Sequence, residues 1–248
     1  MLITLSLRNS DKFVRFVNLM INDVTYLMDE SLSELTQIHN IQTEMQDTAA
    51  WSAQTGQYRR DHETTLRQLQ RHASGYTTLG LSTVELLKVF TAETKAPFMV
   101  PEIVDRLAAM LDYNLDALVG PKCQDLVVKN PERYKFDPKR LLGDILQVFL
   151  NLSDQNEFVR AVAGDGRSYR KELFEKAGSI AYDKALKSDT ELQQLKAFVD
   201  KVEEAKLMLA EEDDLGEIPD EFIGAIYEAI FLEMAYAYMD IEIPSFAR

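Results

Sequence analysis

Residues 101–123, PEIVDRLAAMLDYNLDALVGPKC, restrict the fold of this chain more than any other stretch. Pro101 sits where a helix can begin without losing a hydrogen bond, and Gly120-Pro121 supplies a stop. Between them Ile103, Val104, Leu107, Ala108, Met110, Leu111, Leu115 and Leu118 fall at helical spacing around most of the circumference. A helix apolar over so wide an arc is expected to be buried on more than one side. Other helices are the natural cover, because Gly (10) and Pro (7) are scarce in 248 residues, against turn-rich β structure.

The segments on either side supply those helices. From Ser10, Phe13, Phe16, Val17, Met20, Ile21, Val24, Leu27 and Met28 recur every three or four residues, and the stripe thins through Leu32, Leu35, Ile38, Ile41 and Met45. Ser31-x-x-Glu34 either opens a second helix as a capping box or lies inside one long, lightly bent element, which the continuing stripe favours. Residues 47–57 read as a connection with Trp51 as its anchor. A second, antiparallel helix is expected from about Tyr58 through Leu66, Leu69, Ala73, Tyr76 and Leu79. Gly75 and Gly80 should weaken it by about 1 kcal/mol each relative to Ala. Ser82-x-x-Glu85 can restart the helix, and Lys95-Ala96-Pro97 breaks it.

After an irregular segment from Lys122 to Phe136, Asp137-Pro138 provides an N-cap and a Pro at the first helical position. Its helix carries Leu141, Leu142, Ile145, Leu146, Phe149 and Leu150 inward. Ser153-Asp154 is expected to cap a short helix holding Phe158, Val159 and Val162. A further helix spans roughly Ser168 to Leu186, and Ser188-x-x-Glu191 forms a capping box for the one after it. Between Glu211 and Glu221 stand seven acidic residues and no basic one, the mark of a solvated boundary. The expected organisation is a helical core over residues 1–210, an acidic linker over 211–221 and an apolar tail over 222–248. Successive helical hairpins point to an α-solenoid of irregular repeats.

Charge and chemistry restrict function. A net charge of −14 disfavours nucleic acid, whose binding draws on Lys and Arg at phosphates, and suits a basic partner face. One cysteine, Cys123, leaves no internal disulfide framework or Cys-rich zinc site, and it reads as a buried structural thiol. His39, His62 and His72 have no second His or carboxylate at a metal-binding spacing, so they read as surface or helix-packing residues. Gly164-Asp165-Gly166-Arg167-Ser168 lacks the Lys and the strand of a phosphate loop and reads as a turn between helices. Arg59, Arg60, Arg67 and Arg71, interleaved with Asp61 and Glu63, read as a solvated helix face. No residue is assigned a catalytic, cofactor-binding or metal-ligating role, no cofactor is implied, and no stretch reads as a membrane span.

Four blocks, in order, resemble the core of the ubiquitin conjugation factors that elongate ubiquitin chains, the E-four or Ufd-two-like ligases. They are KFVRFVNLMINDVTYLMDESLSEL, the 101–123 stretch, NPERYKFDPKRLL and FVRAVAGDGRSYRKELFEKA, and the likeness runs on into EEDDLGEIPDEF. The resemblance implies an elongated, all-α, armadillo/HEAT-like helical solenoid. It further implies a role in polyubiquitination and ubiquitin-dependent protein catabolism, including that of the endoplasmic reticulum, in cytoplasm and nucleus. The partner implied is a AAA segregase of the valosin-containing type. In that family a C-terminal U-box, a RING-like domain without zinc, recruits a charged ubiquitin-conjugating enzyme, and the ligase forms no covalent ubiquitin intermediate. IPDEF resembles the entry to the U-box, but Ile223 to Arg248 departs from its pattern. The 29 residues from Asp220 onward are fewer than the ~40 that fold unaided. The expectation is therefore a scaffold inactive in transfer by itself. The competing expectation is a non-enzymatic adaptor for the segregase or a substrate. An unrelated acidic helical scaffold is all that periodicity alone requires.

Overall fold

A computed structural model describes residues 2–215, with side chains over residues 11–212. Residues 216–248, which hold the rest of the expected linker and the entire apolar tail, lie outside the described residues. The described chain is helical, with no strand among the described residues: α1 (Leu2–Glu44), α2 (Thr48–Ala53), α3 (Gly56–Glu93), α4 (Pro101–Val119), α5 (Pro138–Leu152), α6 (Asn156–Gly164), α7 (Lys171–Asp183) and α8 (Asp189–Leu215). Residues 1–206 form one compact unit, and residues 207–215, the final turns of α8, are the described part of a second. None of these helices is long and apolar enough to cross a membrane.

Helices α1 and α3 form the long hairpin. Val17, Ile21, Val24, Met28, Leu35 and Ile38 on α1 meet Ala73, Leu81, Val84 and Leu87 on α3, all nearly solvent-free. Ser31 lies inside α1 rather than at a cap, because its hydroxyl is buried against Thr77 of α3 at 3.0 Å. Nor does α3 restart at Ser82. It runs unbroken past Gly80, where a Cβ would stand 3.0 Å from the Met28 sulfur. The glycine that intrinsic propensity counts against the helix is what lets α1 approach. Residues 47–57 contain more structure than a plain connection. Asp47 caps α2 by accepting from the Ala50 amide, and Trp51 packs edge-on to Tyr58 at the start of α3.

The irregular segment between α4 and α5 is tied to this hairpin by side chains. Gln42 accepts from the Lys129 amide at 2.8 Å, and both Gln42 and Gln70 donate to the buried Tyr134 hydroxyl. His39 Nδ1 donates to the Val127 carbonyl at 2.5 Å. These groups satisfy backbone that no helix can pair.

Helix α5 starts as expected, with Asp137 accepting from the Arg140 amide and Pro138 in the first turn. It packs against α3 through Lys88–Asp144 and Arg140–Glu85, each at 2.5 Å, while Asn151 donates to Lys88 O and Thr91 Oγ1. Ser153 and Asp154 do not cap α6. Ser153 ends α5, Asp154 is held by Lys95 across the turn, and Gln155 occupies the N-cap position without a side-chain bond. Helix α7 is shorter than expected at both ends, because the turn after α6 extends to Arg170 and Ala185 adopts a left-handed φ of 52°. The capping box of α8 forms reciprocally: the Glu191 carboxylate accepts from the Ser188 amide at 2.8 Å and the Glu191 amide donates to Ser188 Oγ at 3.3 Å.

One cluster joins the last four of the described helices. Phe149 of α5, Phe158 of α6, Phe174 of α7 and Phe198 of α8 are fully buried, and Phe149 lies 5.0–5.9 Å from the other three ring centres. Beside it the Tyr169 ring lies tilted on Phe174 at 5.5 Å between centroids, and its hydroxyl donates to Glu203 Oε1 at 2.7 Å, with Lys206 over its ring. Burial and then the Glu203 carboxylate push the Tyr169 phenol far up, so it stays a donor. Phe149→Ala is expected to cost about 3–5 kcal/mol, a large share of a typical domain's stability, read as a lowered midpoint in urea unfolding. Tyr169→Phe removes one hydrogen bond to a carboxylate and keeps the ring, so a smaller loss of about 1–2 kcal/mol is expected in the same measurement.

Candidate functional site

The helix that dominates the sequence is also where unusual chemistry gathers. Leu107, Leu111 and Leu115 of α4 are solvent-free, and the helix packs on α1, α5, α6 and α7. Gly120 caps its end, with its amide donating to Asp116 O, and only glycine fits there because a Cβ would collide with Asp116 Oδ1 and Asp116 O. Within the apolar stripe of Val104, Ala108, Leu111, Leu115 and Val119 stands Asp112, 1% exposed, with neither carboxyl oxygen paired to a donor. Its neighbour is Asp165, in the turn between α6 and α7. One oxygen of Asp165 accepts from the Arg167 and Ser168 amides at 3.1 and 3.4 Å, and the other is buried and has no donor. Burial, then the charge of Asp165 and contact with its carboxyl, push Asp112 well above the usual carboxylate range.

On the exposed side of α4 a groove of about 560 Å³ separates it from α1, lined among others by Asp29, Ser33, Tyr113, Asp116, Lys122 and Arg170. Arg170, the residue before α7, donates to Asp116 and so joins the α6–α7 turn to the same helix. Partial burial, and then Glu30, raises Asp29, while burial, Asp29 and Asp116 raise Tyr113. Toward its other end α4 is fixed to α1 by Arg106, which donates to Asn18 and Asn22.

The residues singled out in the sequence do not converge here. His39 secures the irregular segment, with Nε2 accepting from Thr43. His62 donates from Nδ1 to Tyr58 O and stacks on that ring, and His72 lies 3.9 Å from Glu34. Among the described residues no three His, Cys, Asp or Glu side chains are grouped to hold a metal. Cys123 is half-buried, not the core thiol expected. After Gly120-Pro121 the chain runs along the surface, and Leu126 and Val128 are the residues that turn inward. Arg60, Arg67 and Arg71 are exposed and Arg59 half-exposed, with Arg60 and Arg67 bonded to neighbours one turn away on their own helix. Residues 164–168 are a turn between helices, as their pattern indicates.

Asp112 and the tether Arg170 escaped sequence reasoning. The signal for Asp112 was present: a carboxylate four residues after Ala108 and three before Leu115 on a helix with little polar face. The arrangement offers a groove and a buried carboxyl pair; it has no nucleophile with an adjacent base. Chemically it is equipped to hold elements together and to bind, and no covalent step can be drawn from it.

Comparison with known proteins places these features in a lineage. The family described as the ubiquitin elongating factor core matches residues 1–203. The ubiquitin conjugation factor E4 of Schizosaccharomyces pombe is 48% identical over 215 residues, covering 86% of this chain and 21% of the relative. The E4 ubiquitin-protein ligase UFD2 of Saccharomyces cerevisiae is 42% identical over 232 residues, covering 92% and 24%. A probable ubiquitin conjugation factor E4 of Arabidopsis thaliana is 36% identical over 86% of the chain and 21% of its own length. The chain thus spans about a fifth to a quarter of the curated relatives it matches. On a match that covers four of the linked helical blocks from end to end, this chain belongs to the ubiquitin elongating factor core family.

Proposed function

We propose that this chain serves as part of a ubiquitin chain-elongation factor, with its helices acting as the scaffold on which a ubiquitylated substrate is presented. The single observation that supports this most is the family match over residues 1–203, joined to relatives that carry the names of ubiquitin conjugation factors. The side chains agree with that role. Helices α3 to α8 are interlocked by aromatic and ionic contacts. Transfer then passes from a charged conjugating enzyme, recruited through a U-box, directly to the substrate. In this reading the successive hairpins stack as an armadillo-like solenoid. The products are polyubiquitylated proteins bound for the proteasome, among them those drawn from the endoplasmic reticulum, with a AAA segregase of the valosin-containing type as the partner in cytoplasm and nucleus.

A second reading, an adaptor that binds the segregase or a substrate without supporting transfer, is favoured by one feature. Residues 223–248 do not follow the U-box pattern. Both readings are met by one pair of measurements on the purified 248-residue chain. Incubated with activating and conjugating enzymes, ubiquitin and a monoubiquitylated substrate, it is expected to add no chain. In a pull-down it is expected to retain the segregase and leave the conjugating enzyme behind if it is the adaptor. Robust chain elongation by this chain alone would overturn the scaffold assignment.

A further inference from the structure

We propose that Asp112 and Asp165 share a single proton, forming a carboxyl–carboxylate latch that holds the α6–α7 turn on α4 and releases it when the proton leaves. The geometry leaves few alternatives. Both Asp112 oxygens and Asp165 Oδ2 are buried without a donor, and α4, which carries Asp112, packs on α6, whose C-cap is Asp165. Two ionised carboxylates side by side, with these oxygens out of water, repel each other and lack their hydration. One proton converts the contact into a strong O–H···O⁻ hydrogen bond and satisfies both groups at once. The proton belongs on Asp112, because Asp165 Oδ1 is already committed to accepting from the Arg167 and Ser168 amides.

The charged groups around the pair do not replace that proton. From the turn before α7, Tyr169 faces Asp112, but its hydroxyl is directed to Glu203 of α8, and Lys206 lies over its ring. Glu172 of α7 adds a further negative charge near Tyr169. Arg170 is engaged by Asp116 of α4 itself. Helix α6 buries Phe158, Val159 and Val162, and its charged residues Glu157 and Arg160 are exposed. On α5, Asp144 is held by Lys88 and Arg140, and on α1 the acidic neighbour of α4 is Asp29, beside Tyr113. The negative groups in this set favour the protonated form of Asp112.

The direction of the pH effect follows. With the latch closed, Asp112 holds its proton above the ordinary range; with the turn open, it is solvated and returns to about 3.9. Closure is therefore fully favoured below about pH 3.9 and is lost tenfold per pH unit as pH rises from there to the raised value of Asp112. Above that value it changes no further. Opening leaves the Asp165 carboxylate solvated and no longer fixed, so the Arg167 and Ser168 amides lose their held acceptor, and Arg170 at the end of the turn can carry the movement to the groove beside Tyr113.

Amide hydrogen exchange of the full chain, followed residue by residue from about pH 4 to 9 and corrected for the intrinsic rate, reads this directly. Protection at Arg167 and Ser168 is expected to fall about tenfold per pH unit and then level off, while amides within α5 keep theirs. Asp112→Asn supplies a permanent N–H donor to Asp165 and is expected to flatten that profile. Should it fold poorly, Asp165→Asn offers the same donor from the other side and the same flattening. Protection in the unsubstituted chain that is independent of pH, or an unchanged slope in a folded Asn variant, would overturn the latch.

Discussion

Four phenylalanine rings determine how the second half of this molecule is built. Phe149, Phe158, Phe174 and Phe198 come one each from α5, α6, α7 and α8, and each ring buried stabilises the fold by about 1.5–3 kcal/mol. Their shared contact leaves short helices such as α6, marginal alone, with no other arrangement that buries their apolar faces. Because α5 is also bonded to α3 through Lys88–Asp144 and Asn151, the cluster is tied to the long hairpin. Helix α4 lies against α1 on one side and α6 and α7 on the other, which explains why its apolar arc is so wide.

That placement makes α4 the meeting point of polar as well as apolar forces. It receives Arg106 contacts to α1, the Arg170–Asp116 bond from the α7 side, and the Asp112–Asp165 contact from the α6–α7 turn. A buried polar contact of this kind adds little net stability against an apolar substitute, but it punishes misalignment severely. Two of the blocks that resemble the family, residues 101–123 and 158–177, are joined by the last two of these contacts.

Much of this was legible in the sequence, for a plain reason: helix existence depends on local periodicity. The stripe from Phe13, the Pro101 start, the Gly120-Pro121 stop, the Asp137-Pro138 cap and the Ser188–Glu191 box are local devices, and each is where the pattern puts it. The errors have a common cause too. Ser31, Ser82 and Ser153 satisfy a capping pattern, yet none of them begins a helix. Ser31 is consumed by Thr77, a residue 46 positions away. Gly80 looks like a defect until Met28 is set against it. Asp112 sits on an apolar helix face, but nothing in its own helix names the turn at Asp165 that lies against it. A local pattern cannot reveal a partner from a distant helix.

The same distinction explains how the family reading and the physical reading support each other. In the proposed role, a scaffold holds two large partners in a fixed relation, and orientation is worth a large part of the rate of such a transfer. What it needs is stiffness across helix pairs, and that stiffness is made of distant contacts: the ring cluster, the Gly80 approach, the glutamines on Tyr134. None of these requires a nucleophile, and a side chain placed for chemistry would have to be exposed and poised where these are buried and spent. The polar groups within this fold are engaged in holding helices to one another. The groove between α1 and α4 is the place where a change at one contact, Arg170 on Asp116, would be felt at a surface open to a partner.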